Sequence, residues 1–328
     1  MADHVEELIA GTRAGRPRAV ARLISLIERA AAEAAADSAA SATLRRVMAG
    51  LATPGPDGRE PYRARVIGLT GAPGVGKSTT TSMLVGELRR RGAKVGVLAV
   101  DPSSPFTGGA LLGDRVRMQE HATDPGVFIR SMASRGHLGG LAWATPQALR
   151  VLDAAGCEVI LVETVGVGQA EVDIAGLADT TVVLLAPGMG DGVQAAKAGV
   201  MEIGDVFVVN KADREGAQAT IRELRGMLAL GTAPWRPPIV ATVASRGEGA
   251  ADLLAALDKH HAYLAESGEL ARRRHARARD EIEQIAVASL RARIVRVHGD
   301  RRLDELAGRV LAGETDPYSA AAELVAGL

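Results

Sequence analysis

The chain has 328 residues, enough for one large α/β domain with helical additions or for two modest domains. Its 39 basic and 39 acidic residues cancel, which excludes the global field of a protein built to hold nucleic acid or to lie on an anionic membrane. The single cysteine, Cys157, excludes a disulfide framework and fits a reducing cytosol, while an aromatic content of 2% leaves little surface on which bases could stack. Residues 1–7 show no basic region followed by an apolar core, and no uncharged apolar run reaches spanning length, so a cytoplasmic protein is expected.

In chain order, residues 1 to about 50 read as helices. Val5, Leu8 and Ile9 share one face, and Val20, Leu23, Ile24, Leu26 and Ile27 form a second apolar stripe. Residues 30–42 are alanine-rich without large apolar side chains and read as a solvated or loosely packed helix. Residues 53–58, Thr-Pro-Gly-Pro-Asp-Gly, form the first candidate linker. From Arg65 the pattern alternates, with strands expected at 66–69, 95–100, 159–162, 181–185, 206–209 and 239–242. Continuous apolar strands separated by helical patterns predict a mostly parallel sheet covered on both faces, with the ligand beyond the strands' carboxyl ends. Past residue 260 only helical patterns remain. The basic run 270–279, with Glu281 and Glu283 after it, reads as a solvated helix face, and Gly299-Asp300 reads as a break between two helices. The resulting division is 1–60 (N-terminal helices), 61–260 (sheet domain) and 261–328 (helical arm).

The chemistry centres on Gly71-Ala72-Pro73-Gly74-Val75-Gly76-Lys77-Ser78, followed by Thr79. A glycine-rich turn between strand and helix lets successive N–H groups point inward, and the helix N-terminus adds its own donors, so the loop is an anion cradle. Lys77 would reach the outer phosphates and the Ser78 hydroxyl would ligate Mg²⁺. Three further strand ends carry polar groups. Asp101 could hold Mg²⁺ through water, orient an attacking water or cap the next turn. The glycines 108, 109 and 113 precede Asp114, which could close over the metal. Glu163 stands where a direct or water-mediated Mg²⁺ ligand belongs, and the Gly166 amide could reach the γ-phosphate; the alternative is a capped turn.

Asn210-Lys211-Ala-Asp213 is the guanine-reading pattern. A carboxylate at Asp213 accepts from guanine N1–H and the exocyclic amine, whereas adenine offers no such pair of donors. Lys211 would pack along the base, and Asn210 would tie this loop to the phosphate loop. Val243, Ala244 and Ser245 occupy the place of a base-contacting loop and would act through their backbone. The glycine-rich stretch 187–197 carries Gln194 and Lys197, and a cation there could stabilise transition-state charge or be an ordinary surface lysine.

These motifs together resemble the MeaB/ArgK family of P-loop GTPases, of the SIMIBI class. The resemblance rests on T-G-A-P-G-V-G-K-S-T, V-D-P-S-S-P-F-T-G-G-A-L-L-G-D-R, V-E-T-V-G-V-G-Q, P-G-M-G-D-G-V-Q-A-A-K and N-K-A-D, and covers nearly the whole chain. Val243 is the one clear departure from the family pattern. The likeness implies GTP and GDP as ligands and a Mg²⁺ site surrounded by Ser78, Asp101, Asp114 and Glu163. It further implies a switch loop with Gln194 and Lys197, and a homodimer formed through the C-terminal arm. The implied role is to gate adenosylcobalamin loading and to protect a methylmalonyl-CoA mutase-type enzyme. The alternatives are a metal-insertion GTPase and a small-substrate kinase. Against the first, Cys157 is alone and the adjacent pair His260-His261 on a helix would point in different directions.

Overall fold

The computed structural model describes residues 2–33, 38–55, 58, 60–102, 118–134, 144–164, 170–188 and 200–326. Three helices come first: α1 (Ala2–Arg13), α2 (Pro17–Glu33) and α3 (Ser38–Leu51). Then follow β1 (Arg65–Thr70), α4 (Lys77–Arg90), β2 (Val95–Pro102), β3 (Val127–Ser134), α5 (Thr145–Ala154), β4 (Val159–Thr164), α6 (Ala170–Leu177) and β5 (Thr180–Leu185). The chain continues through α7 (Val200–Ile203), β6 (Val206–Asn210), α8 (Ala217–Leu228), β7 (Ile239–Thr242) and α9 (Ala250–Glu266). It ends in α10 (Glu269–Leu311) and α11 (Pro317–Ala326).

The seven strands form one sheet in the order β3-β2-β4-β1-β5-β6-β7, and every adjacent pair is parallel. This is the α/β architecture that the alternating pattern predicts. The central strands are mostly apolar because both faces are covered; every residue of β4 and β5 is buried. Alternation sorts their side chains. Val66, Leu98, Ile160 and Val162 face a core shared with α1, α2, α3, α5 and α6. Ile67, Leu69, Leu161, Val182 and Leu184 face α4 and α9. Leu23, Ile24 and Ile27 of α2 are fully buried, so truncating one of them to alanine would cost about 2–5 kcal/mol.

Four expectations need correcting. A seventh strand, β3, was not expected: Arg130 and Ser131 interrupt its apolar pattern, and at the sheet's edge it pairs only with β2. The alanine-rich stretch is not wholly solvated: α2 is described to Glu33 and α3 from Ser38, and Ala30 and Ala40 within them are buried. Gly299-Asp300 does not break the chain: α10 runs through it for 43 residues, and the break lies earlier, at Ser267-Gly268, where Gly268 adopts φ 71°. One helical glycine costs only about 1 kcal/mol, too little to stop a long helix.

The fourth correction concerns the basic run, which is a clamp rather than a solvated face. Arg274 and Arg277 pair with Asp179 at 2.8 and 3.0 Å, and Arg273 pairs with Asp205 at 3.0 Å. Both aspartates precede a strand, and both also accept backbone N–H groups, from Val66 at 3.0 Å and Thr181 at 2.8 Å. Glu281 joins them by a two-pronged pair with Arg150 of α5. Burial alone would raise the Asp179 carboxyl, but the hydrogen bond from Arg274 and the charges of Arg277 and Arg274 outweigh it and hold it below its ordinary value. Asp205 is likewise lowered: burial acts upward, while His260 and Arg273 act downward more strongly.

Candidate functional site

The phosphate-loop sequence 71–78 leaves the carboxyl end of β1, the strand flanked by β4 and β5, and feeds directly into α4. Two of its glycines are sterically required. Gly71 has φ 143°, and a Cβ there would lie 2.3 Å from the Leu184 carbonyl oxygen. Gly76, the N-cap of α4, has φ 96°, and its Cβ would lie 2.3 Å from Asn210 Nδ2. No side chain caps α4, so its first N–H groups are presented at the loop. Lys77 folds back over the loop: its Nζ donates to the carbonyls of Gly71 at 2.5 Å and Ala72 at 3.1 Å, and the side chain is buried. A phosphate bound in the loop would set full negative charge beside this ammonium.

Beside the loop, β4 presents Glu163. Its register with Leu69 of β1 and Ala99 of β2 sets it within reach of the start of α4. Ser78 Oγ donates to Glu163 Oε1 at 2.5 Å, and Thr81 Oγ1 donates to Oε2 at 3.1 Å. Ser78 and Thr81 are three residues apart, so they share one face of α4. A buried carboxylate held by two hydroxyls is an all-oxygen donor set, which suits a hard cation such as Mg²⁺ and not a soft metal. Among the described residues there is no cluster of three or more His, Cys, Asp or Glu able to hold a metal.

The loop after β6 closes the other side. Asn210 donates from Nδ2 to the Val75 carbonyl at 2.8 Å, while its Oδ1 accepts from Thr242 Oγ1 and the Ala244 amide, both at 3.1 Å. One buried amide thus ties together the loop after β1, the end of β7 and the turn that follows it. Lys211 sits at φ 57°, a left-handed conformation costing about 1 kcal/mol, and its Nζ reaches the Gly74 carbonyl at 2.6 Å. Asp213 is half exposed and accepts from Arg246 Nη2 at 2.6 Å. The amides of Val243 and Ala244 are engaged by the Glu248 carbonyl and Asn210 Oδ1, so of the three expected backbone contacts these two N–H groups already have partners. Ser245 lines a cleft with Thr79 and Ala250 beside the start of α4.

Asp101 is placed by its backbone near the carboxyl end of β2, opposite Ala133 of β3. Asp114, Gly166, Gln194 and Lys197 lie outside the described residues. Three residues of the site escape the sequence reading: Thr81, Thr242 and Arg246. Thr81 is recoverable from its i, i+3 spacing to Ser78, whereas Thr242 and Arg246 meet their partners only through the pairing of β6 with β7.

The family model for methylmalonyl Co-A mutase-associated GTPase MeaB matches residues 20–298. A Pyrococcus horikoshii protein named for GTPase activity is 48% identical over 324 residues, covering 97% of this chain and 96% of its own length. A Mycobacterium tuberculosis protein also named as a GTPase is 39% identical over 330 residues, 98% of this chain and 95% of its own. The mitochondrial methylmalonic aciduria type A homolog of Caenorhabditis elegans is 37% identical over 215 residues, 63% of this chain and 54% of its own. Among solved structures, a LAO/AO transport system kinase shares the fold, with TM-score 0.70 at 24% identity over 98% of this chain and 96% of that one.

Proposed function

This chain belongs to the MeaB family of GTPases and is a P-loop GTPase itself; from that premise we propose that it serves an adenosylcobalamin-dependent mutase of the methylmalonyl-CoA type. GTP binding and hydrolysis would gate loading of the corrinoid cofactor and protect or reactivate the mutase. The observation that carries the nucleotide reading is Asn210, which bonds the phosphate loop to the candidate base-reading loop and so makes one binding surface of three strand ends. The partner reading comes from the family description and from the relative named for methylmalonic aciduria.

In this reading residues 61–260 bind and hydrolyse the nucleotide. The amides of 71–79 and the Lys77 ammonium hold the phosphates, and the Gly166 amide meets the γ-phosphate. Asp213 accepts from the guanine edge, and the backbone of 243–245 lies against the base. Ser78 and Glu163, joined by Asp101 and Asp114, hold Mg²⁺, which would neutralise charge developing on the β- and γ-oxygens. Gln194 and Lys197 act on the γ-phosphate from a loop that responds to the mutase. Residues 261–328 pair two copies of the chain. Ile282, Ile285, Val287 and Leu290 of α10 are exposed, and burying such side chains against a second copy would stabilise a homodimer. Among the described residues no helix is long and apolar enough to cross a membrane, in keeping with a cytoplasmic chaperone.

The test is functional. A purified corrinoid mutase is assayed through repeated turnovers with the full chain and GTP, with the chain and GDP, and without the chain. The proposal expects slower inactivation with GTP and co-elution of the two proteins on gel filtration. Identical inactivation in all three conditions, with no complex, refutes the chaperone role and leaves the GTPase intact. Lys197→Ala is expected to lower mutase-stimulated hydrolysis more than basal hydrolysis; equal losses would remove that residue from the switch.

A further inference from the structure

Arg246 has no role in nucleotide binding in the reading above, yet it lies on the one group that would select the base. Its Nη2 donates to Asp213 Oδ2 at 2.6 Å. Its Nε lies 3.4 Å from Glu248 Oε1. The backbone around it is fixed: the Arg246 amide donates to the Val243 carbonyl at 2.9 Å, and the Val243 amide donates to the Glu248 carbonyl at 3.1 Å. Arg246 therefore reaches both carboxylates from a side chain that is half exposed, with the backbone that carries it and Glu248 tied into one turn.

A guanidinium and the Watson–Crick edge of guanine present the same feature, adjacent N–H donors pointing one way. A carboxylate already neutralised by a cation is also a weaker acceptor for neutral donors than a bare one. We propose that Arg246 and the guanine base are alternative partners of Asp213, and that Glu248 takes the arginine when the base arrives. Arg246 thereby weakens guanine binding by a set amount, and Glu248 limits that weakening. The inference rests on Asp213 reading guanine.

The experiment titrates the full chain with fluorescent GDP and ADP analogues at low and high salt. Because an exposed ion pair contributes about 0.2–1 kcal/mol, Arg246→Ala should lower the Kd for GDP by about 1.4-fold to fivefold. The Kd for ADP should stay unchanged, since adenine does not compete for Asp213. The gain should shrink at high salt, where exposed charges are screened. Glu248→Gln should raise the GDP Kd by about twofold in the parent chain and have no effect when Arg246 is alanine. A GDP Kd that rises or stays fixed in Arg246→Ala, or an equal gain for ADP, overturns the competition. Asp213→Asn separates this from the underlying reading. If that variant loses its guanine preference, base reading stands whatever Arg246 does; if it keeps the preference, both fall. All three substituted side chains are exposed, so thermal melts should match the parent.

Discussion

The two ends of the sheet use the same residue types to opposite effect. At the amino ends, Asp179, Asp205 and Asp153 are saturated by arginines and backbone amides: Asp179 meets Arg274, Arg277 and the Val66 amide, and Asp153 accepts from the amides of Tyr62, Arg63 and Ala64. At the carboxyl ends the charged groups hold partners that a ligand can replace. Lys77 donates to carbonyls, Glu163 accepts from hydroxyls, and Asp213 pairs with the half-exposed Arg246. Charges locked to one another and to backbone amides hold a fold together; charges whose contacts include carbonyls, hydroxyls or an exposed side chain lie where a ligand can reach them.

Breaking the contrast at Lys77 should have the largest effect. Lys77→Ala removes the cation facing the outer phosphates, and steady-state hydrolysis should fall by about 10²- to 10³-fold with the thermal midpoint little changed. Undiminished turnover would place the chemistry elsewhere. At the opposite end, Asp179→Asn leaves Arg274 and Arg277 without their buried partner; chemical denaturation should show a loss of about 3–5 kcal/mol while folded protein retains its nucleotide affinity. Asp213→Asn should reverse base choice from guanine toward xanthine by about 10- to 100-fold, read by competition titration, because the amide donates where the carboxylate accepted. Thr81→Val removes the Thr81 hydrogen bond to Glu163 and should raise the Mg²⁺ concentration needed for half-maximal hydrolysis by about tenfold, with Thr81→Ser restoring it.

The smallest effect is in pH. Asp179 and Asp205 are lowered in the folded chain, so the stability they contribute is complete above the ordinary aspartate value of about 4 and is lost as pH falls through their lower folded values. Acid unfolding followed by circular dichroism should therefore be shallower in Asp179→Asn than in the parent. An identical acid limb would mean other carboxylates set it.

Much of the carboxyl end is legible in the sequence, because its function needs particular residues at fixed local spacing. The loop at 71–78, Glu163 closing β4 and the N-K-A-D run closing β6 all announce themselves within a few positions. Even the contact of Asn210 with the phosphate loop follows from the motif. The amino end is nearly silent. Nothing local marks Asp179 as the partner of arginines 95 and 98 residues away, so the basic run reads as an exposed face. The pairing is tertiary, decided by where α10 crosses the strand ends. The edge strand β3 is missed for a related reason: with a neighbour on one side only, it needs less apolar character than β4 or β5.

The clamp also gives α10 a mechanical property. Its first turns are bolted to the sheet through Arg273, Arg274, Arg277 and Glu281, while the remaining length, with α11 folded back on its end through Leu306, Ala320 and Leu324, extends past those fixings. The stretch from 282 to 311 spans about 45 Å, so a tilt of about 5° at the root carries the tip about 4 Å. A long helix fixed to strands whose opposite ends carry the candidate nucleotide site would turn a small rotation of the sheet into a displacement as wide as a side chain.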